Sequence, residues 1–300
     1  MVSCLVIFRY LLLSAFFLVQ GCTNLSTFSN RQAMQQLMIT EPLPVNYKHE
    51  VAIASLSQAI LRADVSNAQR AEFYYQRGTY YDKVGLRTLA FFDFKHALTL
   101  KPDLVEAYNF IGIHFTQLQQ FTQAFDAFDS ALDLDPEHEY AYLNRGIALY
   151  FADRPSLAKE DLLAFLNKQP KDPYRVIWLY FAEQAMNDPQ AMQNLSMRRA
   201  ALPNNVWGIH IVDLFLGYLP EEKLLALVSN NVNDHKELIE KLCEAYFYLG
   251  KLNEINGNKP VAENYFKLAL ATKVYEFVEH RYAKLALDLI NETQVETQSN

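Results

Sequence analysis

The residues best suited to chemistry in this chain are seven histidines, three cysteines and two pairs of adjacent carboxylates. His49, His96, His114, His138, His210, His235 and His280 are scattered, and none has another histidine three or four residues away. Two zinc ligands on one helical face need that spacing, so no metal site is expected. The pairs Glu160-Asp161 and Glu221-Glu222 fall in helical stretches with lysine nearby, where a solvated charged face explains them better than an acid and base pair. No Gly-x-Ser-x-Gly elbow, phosphate-cradling loop or dinucleotide fingerprint occurs. An enzyme reading therefore has no residues to rest on, and no cofactor is implied. Hydrolysis of peptidoglycan or peptide by the purified protein alone would revive it.

The cysteines point elsewhere. Cys4 lies in a targeting segment and Cys243 opens an apolar run with Tyr246, Phe247 and Leu249, the setting of a buried, inert thiol. With Cys22 as the remaining one, no disulfide framework can be built. Cys22 follows Gly21 and an apolar run from Tyr10 to Val19, with Arg9 as the only positive charge before it. That run is shorter than the roughly 20 residues a bilayer span needs and suits a signal peptide. Gly21-Cys22 after such a run resembles the lipobox of bacterial lipoproteins, with Val19 and Gln20 departing from the preferred residues. The resemblance implies cleavage between Gly21 and Cys22, residues 1–21 as signal peptide, and covalent diacylglycerol and acyl lipid on Cys22. A signal anchor and an unlipidated secreted form are the alternatives. Thr23 stands where an inner-membrane retention aspartate would be, which implies the outer membrane. Residues 22–45, ending in Glu41-Pro42-Leu43-Pro44, read as a lipidated N-terminus and flexible tether. The helical body is expected over 46–290, with residues 291–300 a disordered tail.

Positioning elements are legible from internal repetition. Gly78, Gly112 and Gly146 are each 34 residues apart, and so are Ala90, Ala124 and Ala158, then Phe94, Phe128 and Leu162, then Pro102, Pro136 and Pro170. A glycine on a first helix lets a second approach closely, alanines and a large apolar residue alternate on that second helix, and proline stops it. These positions resemble the tetratricopeptide pattern. Repeats are expected at 71–104, 105–138 and 139–172, with degenerate helices over 173–242 and a looser copy at 243–276. The fold class is all-α, a tetratricopeptide-type right-handed solenoid with capping helices. One capping candidate, Tyr47 to Ala63, is apolar on one side and reads equally as a dimer contact. The other runs from Val274 to Ile290.

In such a solenoid the first helices line a groove, so its candidate residues are Tyr75, Thr79 and Asp82, then Asn109, Ile113 and Thr116, then Leu143, Ile147 and Tyr150. Two readings stand: the groove accepts an apolar or extended partner segment, or the chain's own later helices pack into it. A carboxylate clamp of lysine, asparagine and arginine is missing from Tyr75, Thr79, Asn109 and Leu143. A net charge of -7 argues against nucleic acid, whose phosphates demand clustered lysine and arginine.

Four segments carry a closer likeness: Gln76-Arg77-Gly78-Thr79-Tyr80-Tyr81-Asp82, Leu143-Asn144-Arg145-Gly146-Ile147-Ala148-Leu149-Tyr150, Asp161-Leu162-Leu163-Ala164-Phe165 and Phe277-Val278-Glu279-His280-Arg281-Tyr282-Ala283. In order and spacing they resemble the NlpI-type family of tetratricopeptide outer-membrane lipoproteins. The resemblance implies a periplasm-facing homodimer, held to the membrane through lipid only. It also implies an adaptor that brings a murein endopeptidase to a tail-specific protease, limiting cell-wall cleavage and influencing division. A lipoprotein that organises wall or outer-membrane assembly complexes without a protease is the alternative.

Overall fold

A computed structural model describes Met38 and residues 40–299, with side chains as far as Glu292. The signal segment, Gly21 and Cys22 lie outside the described residues. Fourteen helices and no strand occur among those described.

The chain enters α1 (Tyr47–Ile60) from the Pro42 to Val45 stretch, with the Asn46 side chain accepting from the Lys48 amide. The first repeat pairs α2 (Asn67–Lys83) with α3 (Arg87–Leu100), the second α4 (Val105–Gln117) with α5 (Phe121–Leu134), and the third α6 (Glu139–Phe151) with α7 (Pro155–Lys168). Ser66 and Gln69 form a reciprocal capping box at the start of α2. Pro102, Pro136 and Pro170 occupy the turns between repeats, where no helical amide is needed.

Close approach within each pair has one recurring cause. A Cβ added at Gly78 would stand 2.9 Å from Phe94, one at Gly112 2.5 Å from Phe128, and one at Gly146 2.8 Å from Leu162. Each glycine thus receives a large apolar side chain that is fully buried. Gly250 and Phe266 repeat the device at 2.6 Å between α12 (His235–Ile255) and α13 (Lys259–Ala271). That last pair coincides with the copy expected from Cys243, although its first helix begins eight residues earlier at His235, where Asp234 caps it.

Between these regions the signature residues fade while the backbone keeps count. Gly85, Gln119, Asp153 and Asn187 all adopt positive φ, at 34-residue intervals. The first three turn the chain inside the regular repeats, and Asn187 does the same between α8 (Pro173–Ala185) and α9 (Ala191–Ala201). Residues 173–201 are therefore a fourth helix pair in register, with Tyr180 at the glycine position. Two short helices follow, α10 (Gly208–Phe215) and α11 (Glu221–Val228). The last helix, α14 (Val278–Ser299), starts four residues after the Val274 expected and continues nine beyond Ile290.

Candidate interaction groove

The first helices α2, α4, α6 and α8 form an inner row, and α14 lies across it. Arg281 donates to Asp82 of α2 at 2.5 Å, and its guanidinium sits 6.0 Å over the Phe110 ring of α4. Tyr282 packs on Phe151 of α6 at 5.7 Å and on Trp178 of α8 at 6.3 Å between ring centroids. Behind it, α12 drives Lys251 against the same row. Its ammonium donates to the Tyr150 hydroxyl at 2.8 Å and to Glu254, lies 4.8 Å from the Tyr150 ring centre, and is almost wholly buried. Burial alone would lower its pKa, but Glu254 and Tyr150 hold it above the ordinary lysine range.

The nine groove residues named from sequence are placed accordingly. Asp82, Asn109, Ile113, Thr116, Leu143 and Ile147 are buried, and Tyr75, Thr79 and Tyr150 are half-buried. Asp82 holds Arg281, and Asn109 accepts from the Asn144 side chain at 3.1 Å, joining consecutive inner helices. Thr79 and Thr116 turn their hydroxyls back onto the carbonyls of Tyr75 and Gly112. Tyr75 stacks obliquely on Phe94 and Phe110. Ile113 packs with Ala124, Phe128 and Ala148. Leu143 lines a cavity of 280 Å³ with Phe165, Tyr174 and Trp178.

Polar groups where α14 meets the row are sparsely paired. His114 Nε2 is 3.7 Å from Asp82, and His280 Nδ1 is 3.4 Å from Arg87. Burial drives both histidines down to about 4, helped at His114 by Arg281 and Arg87 and at His280 by Arg87. Both are neutral at neutral pH. His114 Nε2, Gln117 Nε2, Arg281 Nε and the Tyr282 hydroxyl have no hydrogen-bond partner among the described residues.

Two half-buried ion pairs escaped the reading of the sequence, in which Asp161 belongs to a solvated face whereas its carboxylate is buried. Arg77 clasps Asp93 and Arg145 clasps Asp161, each through two bonds of 2.7 Å. Both pairs join the two helices of one repeat across sixteen residues, and they recur two periods apart. The second repeat has Ile111 and Ala127 at these positions, so a search limited to adjacent repeats passes over them. Beyond Leu143 the same cavity meets Asp172, Glu244, Glu276 and Glu279, a carboxylate cluster contributed by irregular segments that no period brings together.

Residues 71–104 match the tetratricopeptide-repeat family. The fold is a tetratricopeptide-repeat solenoid. It is similar to a tetratricopeptide repeat protein from Parabacteroides merdae, at 17% identity and a TM-score of 0.53, over 81% of this chain and 92% of that one. It is also similar to PilW, a type IV pilus biogenesis factor (19% identity, 87% and 98% covered, TM-score 0.47). A further match is the C-terminal part of a repeat protein from Cytophaga hutchinsonii (18%, 75% and 90%, TM-score 0.47). At 17% identity the Parabacteroides merdae match shows the fold alone.

Proposed function

We propose that this protein is an adaptor held at the outer membrane by lipid on Cys22, where it brings a murein endopeptidase to a tail-specific protease and thereby limits cell-wall cleavage. The observation that carries the reading is the tetratricopeptide solenoid itself. Its repeats are generally non-catalytic scaffolds for protein partners, because stacked helix pairs present extended surfaces rather than reactive groups. The lipobox-like Gly21-Cys22 and the four NlpI-like segments supply the location and the choice of partners. Self-association belongs to the same proposal. Only Ile60 of α1 is buried, while Tyr47 and Val51 on that helix are 67% and 58% exposed, which leaves α1 a face for a second copy.

The groove shapes how partners would be held. With α14 and α12 against the inner row, an arriving chain meets the rims and the outer helices before it meets Ile113 or Ile147. Leu86, Leu89 and Phe92 on the outer side of the first repeat are about half exposed. Affinity capture from periplasm tests the reading: recovery of a protease supports it, and recovery only of synthases or assembly factors overturns it in favour of an assembly scaffold. Cys22→Ser is expected to release the protein into the soluble fraction with its helical content unchanged. Continued fractionation with membranes would contradict lipidation.

A further inference from the structure

Four carboxylates and four aromatic rings meet where α8, α12 and the start of α14 converge. The cavity there is walled by Phe165, Tyr174, Trp178 and Phe277 and reaches Asp172, Glu244, Glu276 and Glu279. Tyr174 of α8 donates to Glu244 Oε2 of α12 at 2.6 Å, and Tyr248 of α12 donates to Glu279 Oε1 of α14 at 2.8 Å. The two tyrosine rings are neighbours, 6.4 Å between centroids. Neither Glu244 nor Glu279 has an ion-pair partner among the described residues. Arg175, the one cation among the residues lining this cavity, is engaged by Glu139 at 2.9 Å and the Phe165 carbonyl at 2.7 Å, and lies 3.6 Å from Asp172. The site therefore gathers carboxyl groups in a poorly solvated place where Glu244 and Glu279 have no counter-ion of their own, so that ionising both is costly.

We propose that the Glu244 and Glu279 carboxyls form a proton-dependent latch, which fastens the first turn of α14 to α12 and α8 while at least one proton is retained and loosens it when both are ionised. The groups facing the pair are all acidic or neutral apart from Arg175: Tyr174 and Asp172 from the α8 side, Tyr248, Glu240 and the buried Cys243 thiol on α12, Trp207 ahead of α10, and Glu276 ahead of α14. Burial, then the charge of Glu279, raises Glu244 to about 8, and burial raises Glu279 as well. A carboxyl raised in the fold contributes stability that is fully present below its unfolded value and is lost as pH climbs through its folded value. Loss of the last proton sets two like charges facing each other across the α12 and α14 contact. One and two residues beyond Glu279 lie His280 and Arg281, so the turn that loosens is the turn that grips Arg87 and Asp82. Mild alkalinity would thus open the end of the inner row from which Arg281 reaches α2. The latch does not depend on which partners the solenoid binds.

The chain has only two tryptophans, Trp178 and Trp207. Trp178 walls this cavity, and Trp207 walls the adjoining one across Tyr174. Their emission, followed from pH 6 to pH 9 on the folded protein at fixed ionic strength, reads the latch directly. The wild type is expected to show a single-proton transition near pH 8, with at least a tenfold fall in amide protection over residues 278–285 after correction for intrinsic exchange. Glu244→Gln should abolish both changes. Glu279→Gln should keep a transition and move its midpoint lower, since the neighbouring charge is gone; this variant decides the matter if Glu244→Gln fails to fold. A flat wild-type profile, an unchanged transition in Glu244→Gln, or an unmoved midpoint in Glu279→Gln would overturn the proposal.

Discussion

The front of the solenoid, α2 to α7, and the back, α8 to α14, share the turn rhythm as far as Asn187 and then differ in how their helices are joined. In the front, glycines on inner helices receive Phe94, Phe128 and Leu162, and the charged pairs join two helices of one repeat. In the back, α12 and α13 keep that device at Gly250 and Phe266 and Arg198 clasps Glu183 within the fourth pair, but Tyr180 takes the glycine position there and packs on Phe215 at 5.9 Å. Long-range polar contacts there, such as Lys251 on Tyr150 and Arg281 on Asp82, tie helices 101 and 199 residues apart. Repetition thus builds a surface from local pairs, and the irregular half spends its residues on bending back over that surface. Positive φ at Asn187, a full period after Asp153, shows that the turn geometry outlasts the side chains that first revealed it.

The largest expected effect lies in the front. Phe128→Ala empties the space over Gly112 and should cost roughly 3–5 kcal/mol in urea unfolding. In the back, Lys251→Ala leaves Glu254 beside a buried void and should cost about 3 kcal/mol, whereas Lys251→Met should recover most of it by filling the volume without charge. Equal losses for both would show that the ammonium, not its bulk, holds α12 to α6. A smaller change is expected for Arg281→Ala, about 1–3 kcal/mol, because Asp82 is left buried without its partner. Hydrogen exchange should then rise in α14 and α2 together and leave α5 and α7 unchanged. Smallest is an acid effect at the same contact. His114 and His280, held near 4 in the fold, contribute stability above the usual histidine range near 6.5 that is lost as pH falls toward 4. Replacing both with asparagine should make the decline in urea midpoint between pH 6.5 and pH 4.5 less steep.

Much of this was legible in advance, for a physical reason. Glycine, alanine and phenylalanine at 34-residue spacing are demanded by contacts inside one repeat and proline by the turn that ends it, so the residue type and its period carry the same message. Asp82 and Tyr150 were placed on the inner row by period alone, and both prove to be docking points for later helices. Their partners Arg281 and Lys251 were not legible, since a contact between distant helices leaves no spacing to read. The same holds for Glu244 and Glu279, brought together by the fold of segments that carry no repeat signature. Arg77 with Asp93 and Arg145 with Asp161 sit between these extremes, periodic yet interrupted by Ile111 and Ala127 in the second repeat.

The adaptor reading is tested most directly by reconstitution. The mature protein would be added to a purified tail-specific protease and a murein endopeptidase, and loss of intact endopeptidase followed with time. The account predicts faster loss when the protein is present and no loss when the protease is omitted; an unchanged rate would contradict it.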